Sequence, residues 1–211
     1  MFSVMAVTTT LIEPGDAAKT AENIKGNELL FRIGIVGRLI TQLIQIIVVL
    51  ILFKLFRSVS RKHAVLMVVF ALVGIPIAML SELNNFAALV LLSGADFLSV
   101  FETDQLNAMA LFFINLHEAG VFIATIFWGL WLFPLGFLIR KSGFFPKIIG
   151  VLVMVGGFGY VLDSFSHFIL TDYAKYEDIL LPIVLLLTFG ELLFMGWVLL
   201  KGAKLPEKEA S

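Results

Sequence analysis

The sequence predicts an all-α, polytopic transmembrane helix bundle with five complete spans and a short N-terminal segment, and three observations predict it. Hydrophobic residues occupy 60% of the 211 positions and charged residues 15%, against about 45–50% and 25% in an ordinary soluble domain. The apolar residues are gathered into five long runs, each above the ~18 residues that mark a spanning helix. The charges that remain are sorted by sign between those runs. A β-barrel is disfavoured, because the runs are continuous and lack the short alternating pattern of barrel strands.

The runs are Leu29–Phe53, Ala64–Leu92, Leu106–Ile139, Ile148–Leu170 and Ile179–Leu200. The second and third exceed one bilayer crossing, so they tilt or project beyond the hydrocarbon, and Pro76 and Pro134 are placed to kink them. Five spans with short loops use nearly the whole chain and leave no room for a separate soluble domain. Ahead of them, "EPGDAAKTAENI" sets Pro14 and Asp16 to start a short surface helix, since an Asp side chain accepts from the free N–H groups of a first turn. The opening "MFSVMAVTTTLI" is too short to cross and has no basic n-region; it reads as the end of a truncated helix. The expected organisation is a partial hydrophobic segment with an extracytoplasmic surface helix over 1–28, the bundle over 29–200 and a polar cytoplasmic tail over 201–211.

The net charge of −1 conceals a pattern. Lys54, Arg57, Arg61 and Lys62 lie between the first two spans, and Arg140, Lys141 and Lys147 between the third and fourth. These loops are expected to be cytoplasmic by the positive-inside rule. The loop from Ser93 to Gln105 carries Asp96, Glu102 and Asp104 without a base, and Asp172, Glu177 and Asp178 outnumber Lys175 after the fourth span. Those two face outward, which puts the N-terminus outside and the tail with Lys201, Lys204 and Lys208 in the cytoplasm of a cell membrane.

Ionised side chains are costly in a bilayer and so turn to the bundle interior and find partners. At a rise of about 1.5 Å per residue, Arg32, Arg38, Glu82, Asn85, His117, Glu118, Asp163, His167 and Glu191 all gather in the outer half. Helical spacing assigns faces: Arg38, Gln42 and Gln45; Glu82 and Asn85; Asn115 and Glu118; Gly156, Tyr160, Asp163 and His167; Thr188 and Glu191. Five stripes at similar depth predict one shared interior cluster, nearly open to the outer side. In it Arg32, Arg38, Gln42, Glu82, Asn85, Asn115, Glu118 and Glu191 are the candidate ligand-binding residues. His117, Asp163 and His167 are the candidate metal ligands, because imidazole and carboxylate suit zinc or iron. Ion pairs that hold helices in register, and histidines that bond between helices, account for the same residues without a ligand. A haem between the two histidines is a sparser reading.

Other chemistry finds little support. The chain has no cysteine, which removes disulfides, thiolate metal sites and Cys nucleophiles. "GGFGYVLD" lies inside a span with no strand before it, so its glycines serve close helix packing and not a nucleotide. Trp128, Trp131 and the many phenylalanines suit core filling and lipid contact. There is no HExxH, GxSxG or Walker sequence, and no nucleic-acid partner is expected.

The run "NNFAALVLLSG" (Asn84–Gly94), the block "LHEAGVFIATIFWGLWLFPLGFLIRKSGFFPKIIGVLVMVGGFGYVLDSFSHF" (Leu116–Phe168) and "PGDAAKTAENI" (Pro14–Ile24) resemble the DUF4386 family of bacterial and archaeal membrane proteins over nearly the whole chain. His117, Gly120, Ser142, Gly143, Pro146, Gly150, Asp163 and His167 fall on positions similar to the family's pattern. The resemblance implies a helical bundle and carries no activity. It also implies a further hydrophobic span before the "PGD" segment, with Met1 falling near that span's end.

Three functions stay open at this point. The favoured one is a binding protein in the lipid bilayer, whose cluster holds a small polar ligand, a lipid headgroup or a metal ion. In that reading Arg32 and Arg38 attract an anionic group, and the acids and histidines take a cation or protons. The second is an intramembrane metal-dependent enzyme, hydrolase-like, with Glu118 or Glu82 as general base. The third is an accessory subunit with membrane-protein partners, its polar residues locking helices together. Five spans without a visible internal repeat argue against an alternating-access transporter.

Overall fold

The structure, a computed structural model, describes residues 10–171 and 174–203. Residues 1–9 of the N-terminal segment, Asp172 of the acidic loop, and Lys204 and Lys208 of the tail lie outside the described residues. Among the described residues there are six α-helices and no strand: α1 (Ala17–Gly26), α2 (Glu28–Phe56), α3 (Arg61–Leu91), α4 (Thr103–Ser142), α5 (Lys147–Ile169) and α6 (Ala174–Lys201), with a 3-10 turn at Asp96–Leu98. All five expected spans are present, and α2 to α6 each contain a stretch long and apolar enough to cross a membrane. The chain is a multi-pass membrane protein. The helices outrun the apolar runs because a helical backbone satisfies its own hydrogen bonds whatever the side chain, so flanking polar residues simply continue the turn. Pro76 and Pro134 lie inside continuous helices, as does Pro182.

The short helix forms as its capping residues dictate. Asp16 caps α1, its Oδ1 accepting from the Lys19 N–H at 2.8 Å. Thr20 Oγ1 then clamps the incoming chain, accepting from Glu13 N–H at 2.9 Å and donating to the Glu13 carbonyl at 3.1 Å.

The chain forms two compact units, and α2, α3 and α4 each contribute residues to both. The first unit takes the residues up to Gln45 and Ile75–Val121. Its core joins Leu11, Ile24 of α1, Phe31 and Ile35 of α2, Ala88 and Leu89 of α3, and Ala110 and Ile114 of α4. The pairs on α2 and α4 are spaced i, i+4 and so occupy one face each.

The second unit takes Ile46–Gly74 and the chain from Phe122 onward. Phe56, Met67, Leu132, Leu135, Val153 and Phe194 are among the residues of its core. Trp131 is buried there, in agreement with a core-filling role. Glycines bring α4 and α5 together: a Cβ on Gly157 would lie 2.8 Å from the Gly129 carbonyl oxygen, and the reverse holds for Gly129. Two turns away, Gly136 and Gly150 meet in the same reciprocal way. Backbones approach this closely only where side chains are absent, which is how helices pack without a hydrophobic driving force between them. The glycines of "GGFGYVLD" belong to this packing, Gly159 lying against Leu187 of α6. Between α4 and α5 the chain turns at Gly143, whose φ of +70° suits glycine. Ser142 Oγ fixes the turn by accepting from Phe144 N–H at 3.0 Å.

Candidate functional site

The inward faces of the first unit carry the apolar core and then, further along each helix, polar residues. On α2 the sequence Phe31, Ile35, Arg38, Gln42 keeps one face, and on α4 the sequence Ala110, Ile114, His117 does the same. Arg38 and Glu82 meet across α2 and α3 in a two-pronged pair. Arg38 Nε donates to Glu82 Oε1 at 2.7 Å and Nη2 donates to Oε2 at 3.0 Å. The geometry is the parallel fork that a planar guanidinium makes with a carboxylate. Asn85, one turn along α3, donates to Glu82 Oε2 at 3.0 Å. Only 5% of the Glu82 side chain is exposed, against 17% for Arg38.

His117 completes the group from α4. Its Nδ1 lies 3.1 Å from the Ser81 carbonyl oxygen. A carbonyl can only accept, so Nδ1 carries the hydrogen. Nε2 then stands 3.8 Å from Glu82 Oε1. In the neutral ring this places two acceptors side by side, close enough for one donor lying beside the pair to serve both; in the charged ring the two attract directly. His117 gets this close because Gly120, one turn on, packs against Ser81 where a Cβ would collide with the hydroxyl. Ser81 Oγ is itself bonded to the Ile77 carbonyl at 2.9 Å.

Of the residues singled out in the sequence, the structure therefore brings together Arg38, Glu82, Asn85 and His117. Gln42 is buried on the Arg38 face of α2, and its Oε1 has no hydrogen-bond partner. Arg32 pairs locally with Glu28, one turn back on α2, at 2.7 Å, with both side chains about half exposed. Asn115 and Glu118 are exposed on α4. Asp163, His167 and Glu191 belong to the second unit, where they are half-buried. There Tyr160 donates its hydroxyl to Glu191 Oε2 at 3.0 Å, tying α5 to α6. His167 stacks on Phe122, with ring centroids 3.8 Å apart and planes 15° from parallel. Among the described residues no three His, Asp or Glu side chains are grouped as donors for a metal ion.

Sequence reasoning missed two contributors. Ser81 acts through its backbone carbonyl, which no side-chain pattern reveals. Phe122 is one phenylalanine among 21 and carries no signal of its own.

Comparison with solved structures gives no match. An uncharacterized protein of Archaeoglobus fulgidus is 31% identical over 173 residues, covering 82% of this chain and 86% of that one. The family model for a domain of unknown function, DUF4386, matches residues 1–202, a stretch that takes in all six helices and every residue of both polar groups, so the chain belongs to the DUF4386 family.

Proposed function

We propose that this integral membrane protein is a binding protein whose Arg38–Glu82–Asn85–His117 cluster holds a small polar molecule or lipid headgroup by its hydrogen-bond donors. The observation that carries the reading is the 3.8 Å between His117 Nε2 and Glu82 Oε1. Arg38 pairs its charge with Glu82, so the reading turns on the acceptors beside it, Glu82 Oε1 and the Nε2 of a neutral His117, to which the buried Gln42 Oε1 adds. A hydroxyl or an ammonium fits that demand; a free anion does not. The reading is tested by identifying small molecules released from protein purified in mild detergent, beside an Arg38→Leu, Glu82→Leu double variant. A hydroxyl- or amine-bearing species bound to the wild type and absent from the variant supports it. The same bound species in both preparations sinks it. Zinc or iron, the other candidate from residue type, is measured in the same samples by elemental analysis, with a His117→Ala, His167→Ala variant as control.

The two-pronged ion pair favours a second reading, a helix lock in an accessory subunit, since it ties α2 to α3 whether or not a ligand is present. That reading expects a co-purifying membrane partner and no small molecule. For either, the proposed topology places the N-terminus outside and the C-terminus in the cytoplasm. The chain lacks cysteine, so single-cysteine variants report cleanly. Ser58→Cys should be shielded from an impermeant maleimide in intact cells and Ala95→Cys labelled, and the opposite pattern reverses the topology.

A further inference from the structure

The second unit carries an open groove of about 300 Å³ between α3, α4 and α5. Leu66 and Phe70 of α3, Leu130 and Phe133 of α4 and Met154 of α5 line it, so the surface it offers is one that suits hydrocarbon. The lining residues nearest the helix ends are His63 and Phe137. Their rings stack with centroids 4.0 Å apart, and Ser60 Oγ holds the imidazole at Nδ1, 2.9 Å away. Beyond this stacked pair the character changes from apolar to basic. Lys62 stands one turn before Leu66 on the same face of α3, and Lys141 stands one turn after Phe137 on α4. Lys141 Nζ reaches back to 5.9 Å from the Phe137 ring centroid. Both lysines are exposed, and among the described residues no carboxylate pairs with either. The two loops they flank, Arg57–Ser60 and Gly143–Pro146, contain no acid.

We infer that this groove, with the two lysines one turn beyond its lining, is a binding site for an anionic phospholipid. One acyl chain lies against Leu66, Phe70, Leu130 and Phe133, and the phosphate meets Lys62 and Lys141. An apolar slot alone would take any lipid tail. The unpaired lysines one turn beyond the lining residues select the headgroup, because a basic pocket between spanning helices attracts anionic lipid and gives a zwitterionic one no net attraction. The inference rests on the membrane nature of the chain and is independent of the reading given to the Arg38 cluster.

The test is native mass spectrometry of the delipidated full chain, titrated with phosphatidylglycerol or with phosphatidylcholine of the same acyl chains. The wild type should hold phosphatidylglycerol tighter by roughly tenfold or more, and excess inorganic phosphate should not displace it. In a Lys62→Gln, Lys141→Gln variant the preference should vanish while phosphatidylcholine binding stays as it was. Both substitutions are at exposed positions, so the variant should keep the wild-type melting temperature. A Leu66→Trp variant, which fills the slot from a partly exposed position, should lose phosphatidylglycerol with both lysines intact. Equal retention of the two lipids by the wild type overturns the proposal. So does a preference that survives the lysine double variant, or displacement by inorganic phosphate, which would mark an ion site without a chain.

Discussion

Replacing Glu82 with leucine should destabilise the protein, and removing Arg38 as well should restore it. In the wild type Glu82 accepts two bonds from Arg38 and one from Asn85. Leucine removes both acceptor oxygens, and with them all three bonds, and leaves an arginine whose side chain is 17% exposed. Breaking one side of a buried pair costs about 3–5 kcal/mol, because the remaining charge stays in a poor environment. The low end, about 3 kcal/mol, is expected here, since helices unfolded within a membrane or micelle find some replacement partners. The Arg38→Leu, Glu82→Leu double variant removes both charges at once, and such replacements run from neutral to about 4 kcal/mol stabilising. The assay is reversible unfolding in mixed micelles of denaturing and mild detergent, run as a double-mutant cycle. A Glu82→Leu protein as stable as the wild type would refute the pairing. A double variant as unstable as Glu82→Leu alone would show that the loss came from packing and not from an orphaned charge.

Other parts of the bundle respond to their own perturbations. Gly150→Val sets side-chain atoms where a Cβ alone would lie 2.5 Å from the Gly136 carbonyl oxygen and 2.7 Å from Arg140 Cγ; overpacking of this kind costs about 1–3 kcal/mol. Gly196→Ala, at a helical position with nothing within 4 Å, should cost nothing in the same unfolding assay, and equal losses at the two sites would contradict the close α4–α5 contact. Tyr160→Phe leaves Glu191 Oε2 without the hydroxyl that donates to it and should lower stability by about 1–3 kcal/mol, with an unchanged midpoint counting against the α5–α6 tie. Asp16→Ala removes the cap of α1 at about 1 kcal/mol, which hydrogen exchange should register as faster exchange at Lys19 while the bundle midpoint holds.

The spans were legible because a bilayer imposes a length and an apolarity that few other environments require, and α2 to α6 each take in nearly all of one of the five runs. Asp16 was legible because capping is local. Within the site, helical spacing gave the correct face for Arg38, Gln42, Glu82 and Asn85, all buried or largely buried. It could not rotate one helix against another. Depth alone puts His117 and Glu118 in one cluster, yet neighbours on a helix point roughly 100° apart; once His117 turns to Glu82, Glu118 faces out. Arg32 had a local partner in Glu28, i and i+4 on one helix, a pairing that competes directly with an interior role. Tyr160 and Glu191 lie on different helices, and only the close α5–α6 approach at Gly156 and Gly159 brings them together.

Under the binding reading proposed above, the ion pair also decides what the cluster would recognise. Two arginines counted from the sequence suggest a site for an anion, and that suggestion depends on their charge being available. The structure commits Arg38 to Glu82 and Arg32 to Glu28, so each positive charge is already neutralised by a carboxylate on its own or a neighbouring helix. With a neutral His117 ring, Glu82 Oε1 and His117 Nε2 are both acceptors, in a setting where an unmet acceptor is costly. In that reading a ligand would gain most by supplying hydrogens there. An anion would have to displace Glu82 from a two-bond fork first, losing about as much as it gained. The chemistry of the cluster thus follows from which arginine finds which acid, a fact of three-dimensional pairing that composition alone does not contain.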